Sequence, residues 1–103
     1  MIDLSKEDIA RFISTEKTGL IYFYTPICGT CQMASKMLEV VAQLTPTIKI
    51  GKADLNYMPE LAKQFEVISV PCLLIIKDGV IVEKVFAFHS VLFLQDKVNQ
   101  HLL

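Results

Sequence analysis

Gly19-Leu20-Ile21-Tyr22-Phe23-Tyr24-Thr25, then Pro26-Ile27, then Cys28-Gly29-Thr30-Cys31, is the stretch that decides the reading of this chain. Its first seven residues are apolar and rich in aromatic and β-branched types, the pattern of a strand covered on both faces. A helix-like run begins near Gln32, so the two cysteines lie at the junction. Cysteines three apart at a helix start share one face, with Cβ atoms roughly 5–6 Å apart. A disulfide needs roughly 3.5–4.5 Å, so a small tightening of the first turn lets the pair open and close. Unpaired N–H groups and the positive end of the helix dipole favour a thiolate there over a thiol. The residues describe a reversible dithiol.

Outward from this junction the chain alternates strand-like and helix-like segments. Ile2 to Leu4 reads as a short edge strand. Ser5 reads as an N-cap with Asp8 three residues on, ahead of a helical stripe of Ile9, Phe12 and Ile13. Beyond the cysteines, Met33, Met37, Val40, Val41 and Leu44 recur at helical spacing, with Met33 and Met37 expected to pack the helix on the sheet, and Pro46 closes that helix. Thr47 to Leu55 alternates as a strand, and Asn56 is expected to cap a third helix through Pro59, Leu61, Ala62 and Phe65. After Ser69-Val70-Pro71 come Cys72 to Ile76, Asp78-Gly79, and Val80 to Phe86. Two strand-like runs joined by Asp-Gly predict a hairpin with a type I′ turn. Val91, Leu94, Val98 and Leu102 form one face of a final helix over Val91 to Leu102. The order β-α-β-α-β-α-β-β-α predicts an α/β sandwich with a mixed central sheet: a right-handed parallel unit, then an antiparallel edge.

Composition bounds the function. A chain of 103 residues is read as one domain over residues 1–103. Hydrophobic residues make up 52%, enough for a core with some left for a contact surface. The formal net charge is -1 and no basic stripe occurs, so nucleic acid and membrane surfaces have no electrostatic support as partners. The longest apolar runs are too short to span a bilayer. The start lacks the pattern of a secretory signal, and three cysteines do not resemble a disulfide-stapled scaffold. The expected setting is therefore a reducing cytoplasm.

Taken together, the strand-to-helix Cys28-Gly29-Thr30-Cys31, the Val70-Pro71 about forty residues later and the Asp78-Gly79 hairpin resemble the thioredoxin family over nearly the full length. The resemblance implies a three-layer sandwich, a mixed sheet flanked by four helices. It also implies a cis-proline at Pro71 lying against the dithiol, with Val70 offering backbone groups to an extended substrate peptide; a cis X-Pro bond costs only roughly 0.5–1 kcal/mol over trans. The implied activity is thiol–disulfide exchange on protein disulfides. Cys28 is the expected exposed nucleophile and Cys31, more buried, the resolving thiol, with Gly29 and Thr30 as the loop between them. No organic cofactor is expected beyond the redox-active disulfide. Electrons would come from a reductase or another dithiol protein.

The chain departs from the family at several points. Ile27 replaces a tryptophan, Thr30 replaces the proline between the cysteines, and Tyr22 replaces a buried aspartate six residues before the first cysteine. Phe86-Ala87-Phe88 stands where the family has a glycine loop. With a reference pKa near ~10, Tyr22 is a poor base, so resolution by Cys31 is expected to rely on water or Lys52 and to be slow. Tyr22→Asp is then expected to speed turnover. The amide restored at Thr30 is expected to reach the Cys28 sulfur and stabilise its thiolate, which makes the pair a weaker reductant. Cys72, where the family has threonine, is read either as a buried inert thiol or as a third reactive one. Tyr22, Lys52 and Cys72 are thus the candidate modulators.

Two further readings stay open at this stage. One is a metal or iron–sulfur module using Cys28, Cys31 and Cys72, with His89 or His101 as further ligands. The other is a redox-weak interaction domain, whose Phe86, Phe88 and Phe93 rim binds a protein partner or supports a weak dimer; the leading reading is otherwise a monomer. His101, in the last turn of the final helix, is expected at the surface.

Overall fold

The computed structural model describes Met1–Leu103. Five strands, β1 (Ile2–Asp3), β2 (Gly19–Tyr24), β3 (Ile50–Asp54), β4 (Cys72–Lys77) and β5 (Val80–Val85), form one sheet in the order β1-β3-β2-β4-β5. Helices α1 (Lys6–Thr15), α2 (Gly29–Leu44), α3 (Pro59–Gln64) and α4 (Val91–Leu102) cover its two faces. The strands β1, β3 and β2 run parallel, whereas β4 is antiparallel to both β2 and β5. This is the expected mixed sheet, with the parallel unit first and the hairpin at the edge.

Alternation along β2 explains its continuous apolar run. Leu20 and Tyr22 enter one cluster with Ala34, Leu38, Val41, Leu94 and Val98, beneath α2 and α4. Ile21 and Phe23 enter the other with Ile9, Phe12 and Leu61, beneath α1 and α3. A strand buried on both faces has no polar side to show.

Local signals account for most boundaries. Ser5 and Asp8 form the reciprocal capping box of α1, with the Asp8 amide donating to Ser5 Oγ at 3.2 Å and the Ser5 amide donating to Asp8 Oδ2 at 3.0 Å. Asp78 and Gly79 have φ of 54° and 78°, the two positive values of a type I′ turn.

Three expectations are corrected. The third strand is shorter than Thr47 to Leu55. Asn56 caps nothing: it lies inside a 3-10 turn over Leu55–Tyr57 that Asp54 caps, and α3 starts at Pro59 with no side-chain cap. The buried face of α2 is Cys31, Ala34, Leu38 and Val41, while Met33, Val40 and Leu44 are exposed. Sequence spacing favoured the larger side chains, but the small Cys31 and Ala34 let the first turns of α2 approach the sheet closely.

Candidate active site

The helix α2 begins at Gly29, so Cys28 is its N-cap and the cysteines sit at the helix tip rather than ahead of it. Cys28 is half-buried and Cys31, one turn in, is 2% exposed. The two are joined as a disulfide with Cα atoms 5.1 Å apart. The Cys28 sulfur accepts the Cys31 amide at 3.1 Å and lies 3.3 Å from Thr30 Oγ1. The Thr30 hydroxyl, rather than the amide expected from the sequence, is therefore the group beside the sulfur. Its stabilising direction is the same, because a hydroxyl donates to a thiolate as an amide does.

The Val70–Pro71 peptide bond is cis, as the resemblance implied, and Val70 O lies 3.9 Å from Cys28 Sγ. Ile27, next to Cys28 in the chain, and Ile68, two residues before Val70, are 95% and 85% exposed. Thr30, Met33 and Met37 on α2 face Val70, Pro71 and the Phe86–His89 segment across a cavity of about 410 Å³. Met33 is exposed on the groove wall instead of packing α2 on the sheet, whereas Met37 does both, lining the groove and packing against the cluster beneath α2. The phenylalanines divide their roles. Phe88 is buried, 5.9 Å from the Tyr22 ring, and Phe93 lies under His89 and Lys97. Phe86 is half-buried and lines the groove.

Tyr22 is fully buried beneath α2 and its hydroxyl is fully engaged. It donates to the carbonyl of Cys31 at 2.7 Å and accepts from Ser35 Oγ at 3.0 Å. Burial pushes its pKa above the ordinary tyrosine value, with the Ser35 bond opposing. Ser35 escaped the sequence reading, although it lies one helical turn beyond Cys31 and so on the same face. The Tyr22 pocket is built to donate to a carbonyl. The shorter side chain of Tyr22→Asp cannot span from β2 to the Cys31 carbonyl, so that variant removes a donor as well as adding an acid.

Lys52 stands beside Tyr22 in register, but its ammonium lies 3.7 Å from Asp3 at the sheet edge. Cys72 pairs with Phe23 across the sheet and is wholly buried in the α1/α3 cluster, on the face away from Cys31. His101 is not a free surface group: it pairs with Glu83 at 2.7 Å, and Glu83 also binds Lys97 at 2.9 Å. No three His, Cys, Asp or Glu side chains converge on one point, so the set Cys28, Cys31 and Cys72 is not assembled. No helix is long and apolar enough to cross a membrane.

Burial pushes the Cys72 thiol up to about 12, with Lys84 opposing weakly. A raised thiol pKa stabilises the fold while the unfolded thiol keeps its proton. That contribution is lost as pH climbs from the ordinary thiol value of 9.0 through the folded value. Stability should therefore fall across this alkaline window by at most about 1.4 kcal/mol per pH unit from this group. Chemical denaturation at stepped pH should show Cys72→Ala with a shallower decline than the parent. Equal slopes would mean that Cys72 ionises as freely folded as unfolded.

A cysteine pair at the tip of a helix, facing a cis-proline in an α/β sandwich, defines a dithiol exchange protein. The comparisons agree. The family model described as Thioredoxin matches residues 1–100. The chain is 48% identical over 81 residues to the thioredoxin-like protein YusE of Bacillus subtilis, covering 79% of this chain and 76% of that protein. It is 38% identical over 90 residues to the thioredoxin of the same organism, covering 86% of each. Among solved structures, a mutant thioredoxin from Halobacterium salinarum superposes with a TM-score of 0.89 at 26% identity, covering 99% of this chain and 90% of that one. The thioredoxin of Fasciola hepatica does so with a TM-score of 0.85, also at 26% identity, covering 98% of this chain and 99% of that one. The chain belongs to the thioredoxin family, and it is a thiol–disulfide oxidoreductase.

Proposed function

We propose that this protein reduces or exchanges protein disulfides with Cys28 as the attacking thiolate and Cys31 as the resolving thiol. The Cys28 thiolate attacks one sulfur of the substrate disulfide, forms a mixed disulfide and releases the other sulfur as a thiolate. Cys31, as a thiolate, then attacks the Cys28 sulfur and releases the second substrate thiol, leaving the Cys28–Cys31 disulfide. Two electrons have passed to the substrate. A reductase or another dithiol protein returns them, and no cofactor beyond the disulfide is required.

The observation that carries these roles is the asymmetry of the pair. Cys28 is the half-exposed N-cap whose sulfur receives the Cys31 amide, whereas Cys31 is 2% exposed behind it. The Val70 carbonyl lies 3.9 Å from Cys28 Sγ, ahead of the cis bond to Pro71, and backbone so placed can hold an extended peptide beside the sulfur. The Gly29-Thr30 loop sets the sulfur's donors, and the Thr30 hydroxyl makes the pair more oxidising by stabilising the reduced form. The whole of residues 1–103 acts as one domain. The electron flow is that of a cytoplasmic dithiol carrier, a setting supported by the few cysteines and by a fold held without other disulfides. The protein works as a monomer or as a weak dimer through the Phe86/Phe88 region, where the half-buried Phe86 is the side chain free to make the contact and Phe88 belongs to the core.

The test is equilibration against a glutathione or dithiothreitol series, with free thiols counted by mass. A reversible two-electron transition of Cys28 and Cys31 that leaves Cys72 free is the expected result. Thr30→Val should move that equilibrium toward the stronger reductant by on the order of tenfold, since it removes one donor to a charged sulfur. A pair that shows no transition, or three thiols protected together by bound metal, would overturn the proposal.

A further inference from the structure

The hydroxyl chain Ser35–Tyr22–Cys31 has no part in the exchange steps above, although it ends on the residue that carries the resolving sulfur. We infer that Tyr22 and Ser35 are positioning residues that hold the Cys31 backbone so that its amide stays aimed at the Cys28 sulfur. The inference rests on the proposed role of Cys28 as nucleophile.

Three observations carry it. First, the Cys31 carbonyl takes a bond from outside its helix: Tyr22 Oη donates to it at 2.7 Å, in addition to the amide one turn on that the α-helix supplies. Carbonyl oxygen has two lone pairs, and both are thereby used. The first turn of a helix ordinarily frays, and this one is bolted to the central strand of the sheet. Second, the amide of the same residue is the donor to Cys28 Sγ at 3.1 Å. Fixing the carbonyl of Cys31 restricts rotation of the residue whose N–H faces the sulfur. Third, the Tyr22 ring cannot drift, because it is fully buried, 5.7 Å from the Tyr24 ring and 5.9 Å from that of Phe88.

Ser35 fixes the direction of the chain. Its hydroxyl donates to Tyr22 Oη at 3.0 Å, so the tyrosine oxygen acts as acceptor on one side and must spend its single proton on Cys31. Desolvation keeps that proton in place, since burial raises the Tyr22 pKa above its ordinary value. A preset donor is worth more to a thiolate than to a neutral thiol. The chain therefore lowers the Cys28 pKa and, by stabilising the reduced form, makes the pair more oxidising. The family's aspartate at this position is replaced by a group of opposite hydrogen-bonding sense.

The charged and titratable groups around the helix tip are few. Lys36 and Glu39 on α2 and Tyr24 on β2 line a cavity that reaches Cys31 and Ser35, while His89 lies across the other groove and Lys52 pairs with Asp3. All of them remain in place in the variants that test the chain.

The experiment is the pH dependence of alkylation of the fully reduced protein by iodoacetamide, with the modified cysteine located by mass. Tyr22→Phe keeps the ring and deletes the donor. Its Cys28 alkylation midpoint should rise by about half to one pH unit. Ser35→Ala should move it the same way by less, and Ser35→Thr should return it to the parent value. Superimposable profiles for Tyr22→Phe and the parent would overturn the inference, as would a Ser35→Thr profile no different from that of Ser35→Ala. A low-pKa thiol mapping to Cys31 instead of Cys28 would remove the nucleophile assignment itself, and the inference with it. Ser35 is half-buried on the helix surface, so its variants keep the question answerable even where Tyr22→Phe loosens the core.

Discussion

Cys28→Ser is expected to bring the reduction of a protein disulfide down to background, a loss of at least about a thousandfold. A serine hydroxyl stays protonated at neutral pH and does not attack sulfur. Cys31 cannot substitute for it, because a residue 2% exposed behind the helix tip presents no sulfur to a substrate. Cys72 cannot either, since it is wholly buried on the opposite face of the sheet and its thiol is held up to about 12. Cys31→Ser should behave differently. Attack by Cys28 survives, resolution does not, and a covalent adduct of protein and substrate should accumulate, visible as a summed mass that dithiothreitol releases. Cys72→Ala should turn over as the parent does. A Cys28→Ser protein that keeps more than a few per cent of activity, or an adduct that forms through Cys31, would reverse the assignment of roles. Full binding of a partner by Cys28→Ser, with no turnover lost in a parent that had none, would instead mark a recognition domain.

The parts of this site that rest on local rules were legible in the sequence. A strand-like run broken by Cys28-Gly29-Thr30-Cys31 needs only the hydrophobic pattern and the chemistry of a helix start. Asp78-Gly79 needs only the steric cost of positive φ, and both residues adopt it. What escaped was tertiary. The burial of Cys31 and Ala34 in place of Met33 and Leu44 depends on how closely α2 lies on β2, and hydrophobicity alone favours the bulkier stripe. The face taken by Cys72 follows from its pairing with Phe23, a register that the turn at Pro71 hides from simple alternation. Tyr22 could be placed on its strand, but not its partners: Cys31 O and Ser35 Oγ meet it only once α2 has docked. The substitution of tyrosine for the family's acid reads in sequence as a lost base, and in the fold as a gained donor.

Gly19→Ala should carry a large stability cost. Gly19 opens β2 beside Lys49, whose carbonyl accepts the Leu20 amide at 2.9 Å. A Cβ at position 19 would sit 2.7 Å from that same oxygen and 2.8 Å from the Phe12 ring. The ring tip can yield, but the oxygen is backbone and already committed to the sheet, so relief requires β2 to part from the chain at Lys49. Overpacking of this kind, with a ladder bond stretched, costs about 2–4 kcal/mol. For a domain of this size each kcal/mol lowers the melting temperature by about 4–8 °C. Gly29→Ala supplies the contrast, because no atom lies within 4 Å of its added methyl and alanine is the better helix former by roughly 0.5–1 kcal/mol. Thermal and urea unfolding should therefore separate the two variants in opposite directions from the parent. A Gly19→Ala protein as stable as the parent would show that the start of β2 is not held against Lys49 as described. Because Gly19 lies at the far end of β2 from the dithiol, the folded fraction of Gly19→Ala should still turn over substrate at the parent rate, which separates the scaffold's contribution from that of the helix tip.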